Sequence, residues 1–197
     1  MKPTFADAAP GYFALFESCI ITASVLPEVD RTIDRIKLGQ SQYLQVETAT
    51  SVPWYVVALI HSLECDLNFR EHLHNGDSLD NYTTDDPAGR PQVGHGPPFT
   101  WLESAIDAIQ YDRLDEFSDW DVARICYECE SFNGWGYRAY SINSPYLWAG
   151  CQHYTAGKFI ADHEFSATAV SDQIGAAVLL RRMVDTDVVE LKAAIEV

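Results

Sequence analysis

Apolar positions along this chain recur mostly at helical spacing, and turn-forming residues cut them into short runs. Residues 1–11, with Pro3, Pro10 and Gly11, read as a loose N-terminal arm. Residues 12–26 form a first predicted helix, stopped by Pro27. Residues 28–38, with Val29, Ile33 and Ile36 on one face, form a second that Gly39 ends. Residues 42–49 make a shorter third.

The strongest signal follows. From Trp54 to Leu63 apolar residues cover nearly every side of a helix, with Pro53 near its first turn, where a missing N–H costs little. That helix should be buried on most sides, and Glu64 sits where it emerges into a loop. Desolvation there disfavours the ionised carboxylate, so the group can hold a proton near neutral pH and donate it.

From 69 to 98 the helical period vanishes, and Gly, Pro, Asp, Asn and Thr dominate. This predicts a long irregular hairpin or lobe, and a structureless stretch of that length is usually functional or disordered. Thr100 and Glu103 form a capping box that opens a helix through Ile109. Ser118 or Asp119 caps another, running to about Phe132 and broken at 133–136. Ser144-Pro145 marks a turn. A last long helix is expected over 166–183, and 186–197 could add a helical tail. There is no internal repeat, linker or low-complexity segment. The whole reads as one α+β domain over 1–197, mainly α, with 184–197 as a C-terminal tail.

Composition narrows the function. At 197 residues and 47% hydrophobic the chain can bury a core. No apolar run reaches the roughly 20 residues of a membrane span, so no membrane insertion is expected. Residues 12–25 lack the pattern of a signal peptide, so the chain is expected to be cytoplasmic as synthesised. A net charge of −16 argues against nucleic acid, which needs clustered Lys and Arg. The acidity either keeps the protein soluble or suits saline surroundings, where repulsion between like charges is screened.

Five cysteines are an odd, scattered set for a disulfide framework. Cys126-x-x-Cys129 has no second ligand pair nearby and reads as two small apolar residues one helical turn apart. His72 and His74 with Asp77 do not complete a four-ligand site, and Cys151 with His153 has no third group to orient it. No metal and no cofactor is expected.

Glycoside hydrolysis uses a protonated carboxyl on one side of the scissile bond and a carboxylate on the other. With Glu64 as the acid, Asp77 in the tight turn Asn75-Gly76-Asp77 is the partner, and the Thr83 hydroxyl could hold the attacking water. Sugars pack C–H faces on rings and bond hydroxyls and acetamides to amides or guanidinium groups. Asn133, Tyr137, Arg138, Asn143, Tyr146 and His153 cluster within a short stretch and, with His74, are the candidate substrate-binding residues.

The order Glu64, Asp77, Thr83 resembles the E-x8-D-x5-T pattern of phage-type lysozymes, although here the first gap is x12. Glu64-Cys-Asp-Leu-Asn-Phe69 is similar to the E-S-x-L/F-N run of goose-type lysozymes and lytic transglycosylases, and Phe132-Asn-Gly-Trp-Gly-Tyr137 to their Y-N-A/G-G cleft segment. More broadly, residues 12–183 resemble the bacterial and phage lysozyme-family proteins described as peptidoglycan-binding. The runs carrying this are VPWYVVALIHSLE, NF-REHLHNGD, PAGRP, GPPFTWLESAIDA, FNGWGYR, SPYLWAG, HYTAGKFIAD and FSATAVSDQIGAAVLLRRM.

The resemblance implies a lysozyme-like fold: a buried central helix, a long irregular β-hairpin lobe and a cleft between them. It implies a monomeric muramidase-like glycosidase acting on peptidoglycan glycan strands after release or export. Two alternatives stay open: a lytic transglycosylase using the same acid, and a non-catalytic peptidoglycan-binding protein.

Overall fold

The structure is a computed structural model and describes residues 2–161 and 163–191. It is mainly helical, with one small antiparallel sheet among the described residues. The chain forms two compact units, one from residues 1–33 with the described residues from 121 onward, the other from 34–120.

In the first unit, α1 (Phe5–Glu17) begins earlier than expected, inside the supposed arm. The Thr4 hydroxyl accepts the Asp7 N–H at 3.2 Å and caps it. Ala8, Tyr12 and Phe16, four residues apart, bury one face, and α1 packs on α5 (Val122–Asn133). Pro10 lies within α1 and deletes one backbone bond, a cost the buried face offsets. Helix α5 is capped by Asp121, two residues beyond the expected Asp119. It buries Cys126 and Cys129 together, as small apolar residues one turn apart would be.

A four-residue helix α6 (Pro145–Trp148) is wholly buried. Helix α7 is Ala176–Asp185 alone, ten residues later in start than the expected 166. Its N-cap is Gly175, where a Cβ would come within 2.3 Å of the Leu147 carbonyl group. That approach admits only glycine and fixes the entry point of the chain. The preceding residues are tied elsewhere: Ala169 accepts the Gly157 N–H, and Ser171 donates to the Tyr154 hydroxyl. The sheet is β1 (Lys158–Ala161) against β2 (Glu164–Ser166), with Phe159 opposite Phe165. Of the expected helical tail, 186–191 form turn and coil, and 192–197 lie outside the described residues.

Helix α2 (Leu26–Thr50) replaces two expected helices with one. Pro27 sits in its first turn and helps start it. Gly39 does not end it, because its role is packing: a Cβ there would meet Phe69 Cζ at 2.6 Å. The Phe69 ring is held among Tyr43, His61 and Trp101 at centroid distances of 5.5, 4.6 and 4.7 Å. Helix α3 (Trp54–Cys65) is the buried centre of this second unit, as its composition predicts, with Val56 to Ile60 fully buried. It ends at Asp66 and Leu67, both left-handed. Arg35 on α2 holds the Asp66 carboxylate at 2.9 Å. Helix α4 (Trp101–Tyr111) starts from the expected capping box, complete in both directions.

Between α3 and α4 the expected lobe is irregular, but it is not a β-hairpin. Only one isolated bridge, Glu71 to Ser78, joins its backbone ladder-fashion. Buried polar side chains order it instead. His72 bonds Ser104 and the Asn81 carbonyl, both at 2.8 Å. Asp107 on α4 accepts Arg90 at 2.8 and 2.7 Å, His74 at 2.9 Å and the Gln92 N–H at 3.1 Å. A loop lacking strand pairing must satisfy its polar groups some other way, and side chains do so here.

Candidate functional site

Glu64 is half-buried in the last turn of α3, where the greasiest helix of the chain meets the lobe. The Asn75-Gly76-Asp77 turn lies against that helix end. Gly76, at φ +79°, passes so close that a Cβ on it would stand 2.9 Å from the Glu64 carbonyl oxygen. The turn is closed by His72: its N–H donates to the Asp77 carbonyl at 2.6 Å, and its own carbonyl accepts the Gly76 N–H at 2.9 Å. Cys65 donates its thiol to the same His72 carbonyl, so helix end and turn are stitched together.

Asp77 is held as a carboxylate. The Thr84 N–H (2.8 Å), the Thr84 hydroxyl (3.0 Å) and the Asn75 amide (3.1 Å) all bond its Oδ2. These bonds, the Thr84 backbone N–H foremost, keep its carboxyl below the usual range. The hydroxyl beside it is thus Thr84, not the expected Thr83. Thr83 is buried, donates to the Pro87 carbonyl and accepts the Arg90 N–H at 2.9 Å, so its oxygen is committed to its own turn.

The other predicted residues separate. His74 is buried and bonded to Asp107, with Ser104 Oγ 3.4 Å from its other nitrogen, so it braces the lobe rather than facing a ligand. Both nitrogens of His72 are taken as well, which removes the His72–His74 pair as metal ligands. The lobe carries a shallow hollow of about 500 Å³ beside the exposed Tyr82, lined also by Gln92 and His95.

In the first unit Asn133, Tyr137 and Tyr146, three of the candidate substrate-binding residues, line one groove of about 280 Å³. Lys158, Phe159 and His163 of the hairpin complete it. Sequence reasoning missed these three because nothing in the run before Ser166 marked a hairpin. Arg138 and Asn143 line a different pocket of about 210 Å³. There Arg138 forks onto the buried Glu130 at 2.9 and 2.8 Å, and the Tyr12 hydroxyl donates to Glu130 at 2.5 Å. Burial and the Glu130 carboxylate hold the Tyr12 phenol far above its ordinary range, so it stays a donor. The missed signal was a pair of glutamates, Glu128 and Glu130, set among the apolar residues that α5 buries. His153 lies apart, its Nε2 3.2 Å from the Ser18 hydroxyl and its ring edge-on to Trp148.

Comparison with models of known families, with curated proteins and with solved structures finds no match.

Proposed function

We propose that the protein is a peptidoglycan-cleaving glycosidase of lysozyme-like design, with Glu64 as general acid and Asp77 as its carboxylate partner. One observation carries this: a half-buried carboxyl closes the central apolar helix while a turn bearing an ionised aspartate is packed onto the same helix end. Two carboxyl groups in unlike environments, one partly desolvated and one fed by N–H and O–H donors, suit acid and base roles. On this reading Glu64 protonates the leaving oxygen. Asp77, with Thr84 in place of Thr83, directs water or steadies the oxocarbenium-like charge. The exposed Tyr82 beside the lobe hollow offers a ring face to sugar.

Glu64→Gln should abolish release of reducing ends from purified peptidoglycan while leaving the melting curve unchanged. Asp77→Asn then separates mechanisms: near-complete loss supports hydrolysis, and mild loss with anhydro-sugar products supports a transglycosylase.

The groove at Asn133, Tyr137 and Tyr146 favours a second reading, a glycan-binding protein without catalysis. It predicts retention on peptidoglycan with no new reducing ends from the native protein.

A further inference from the structure

We propose that Cys19 and Cys151 form a redox pair, which a hydroperoxide such as hydrogen peroxide oxidises to a disulfide tying the end of α1 to the segment between α6 and α7. This chemistry needs neither Glu64 nor a glycan.

The two cysteines are far apart in sequence and meet in the first unit. Ile21 and Cys151 form an isolated antiparallel bridge. Around it the Thr22 N–H donates to the Gly150 carbonyl at 2.9 Å, and the Gln152 N–H to the Ile20 carbonyl at 3.4 Å. The Gln152 side chain adds two more bonds: its Oε1 accepts the Ile20 N–H at 2.8 Å, and its Nε2 donates to the Ser18 carbonyl. Residues 18–22 are thus fastened to 150–152 on both sides of the pair. Across this seam the two thiols are hydrogen-bonded to each other. A disulfide forms where two backbones already lie close and their side chains point together, and the bridge and the thiol contact supply both.

Cys151 is the better nucleophile of the two. Its sulfur accepts from the Cys19 thiol and from the His153 backbone N–H, and these bonds, the Cys19 one foremost, lower its pKa against the raising effect of burial. As a thiol it donates to the Trp148 carbonyl at 3.2 Å. The same contact raises Cys19, which keeps its proton. Both cysteines are buried, yet Ser18, Ile20 and Gln152 beside them are exposed. A shallow seam of this kind needs only local opening to admit a molecule as small as hydrogen peroxide.

The Cys151 thiolate attacks one peroxide oxygen. An S–O bond forms, the O–O bond breaks, and the departing hydroxide takes up the Cys151 proton as water. The Cys19 sulfur then attacks the resulting sulfenic acid. The S–S bond forms, the S–O bond breaks, and the second hydroxide leaves as water with the Cys19 proton. Two thiols lose two electrons, and one peroxide gains them.

The test is peptide mapping of the reduced full chain before and after hydrogen peroxide, with no reductant in the digest. The treated chain should yield one new cross-linked peptide, Cys19 to Cys151, lighter by two hydrogens and split by dithiothreitol. Cys65, Cys126 and Cys129 should remain thiols. The oxidised chain should unfold at a higher urea midpoint, because the closed loop restrains the unfolded state, and dithiothreitol should restore the lower one. Cys19→Ser keeps a donor beside Cys151 but removes the resolving sulfur, so dimedone should trap Cys151 as its sulfenic acid. No Cys19–Cys151 cross-link after peroxide, a cross-link between any other pair, an unchanged midpoint in the cross-linked chain, or no dimedone on Cys151 in Cys19→Ser would each overturn the proposal.

Discussion

The backbone of Gly76 lies directly on the carbonyl of Glu64, 2.9 Å from where any larger residue would place its Cβ. Gly76 is also left-handed at φ +79°, so alanine there is strained whatever the space. Gly76→Ala should cost about 1–2 kcal/mol in stability. If the turn positions Asp77 for chemistry, glycan cleavage should fall by more than the small unfolded fraction explains. Thermal melts beside reducing-end assays decide it, and cleavage that simply tracks the folded fraction would remove the turn from the mechanism.

Thr83 and Thr84 make a sharper contrast. Thr83→Val removes a buried hydroxyl bonded on both sides and should cost about 1–2 kcal/mol while kcat holds. Thr84→Val removes one of three bonds to Asp77 Oδ2, so stability should change little and kcat should drop. The reverse pattern would return the water-holding role to Thr83.

Gly39→Ala tests why α2 runs unbroken through a glycine. In a free helix the change is favourable by about 1 kcal/mol. Here the new methyl meets a Phe69 ring that is hemmed in, and overpacking costs about 1–3 kcal/mol. A lower urea midpoint is expected. A higher one would mean the ring gives way freely.

Acid should destabilise the protein in a defined window. Burial pushes both His61 and His74 from the ordinary 6.5 down to about 4, in His74 against the raising effect of Asp107. As pH falls between those values, the unfolded chain takes up protons that the folded chain refuses. Stability is therefore full above about pH 6.5, declines toward pH 4 and levels off for these groups below it. Each histidine accounts for at most about 3 kcal/mol. Urea midpoints that stay flat between pH 7 and pH 4.5 would contradict this.

All five cysteines are buried as free thiols. Burial drives the Cys126 thiol well above its ordinary range and is the largest cause of the rise at Cys65. Thiolate is the reactive form, so labelling of Cys65 and Cys126 by a disulfide reagent should be slow in buffer and complete only in denaturant. Rapid labelling at Cys65 or Cys126 of the native chain, located by peptide mapping, would show that one of these sites opens.

Much of this fold was legible because single elements carry their own signal. The apolar run of α3 marked a buried helix, and Thr100 with Glu103 marked the start of α4. What failed needed tertiary knowledge. Gly39 and Gly175 look alike as helix breakers, yet one is inside a helix for contact with Phe69 and the other is a cap pressed on Leu147. Ala169, Val170 and Ile174 keep helical spacing but lie before α7 begins, and the Ala169 carbonyl is taken by the Gly157 N–H. That Asn133, Tyr137 and Tyr146 share one groove was legible because aromatic and amide residues cluster in sequence. Thr83 was chosen over Thr84 by motif spacing alone, and a one-residue difference is settled only by which hydroxyl the turn directs at Asp77.

The most direct test of the central claim is mass spectrometry of muropeptides released from purified peptidoglycan by the native protein and by Glu64→Gln. The account predicts glycan fragments ending in new reducing or anhydro sugars from the native protein and none from the variant. The same fragments from both proteins, or cleavage confined to peptide bonds, would contradict it.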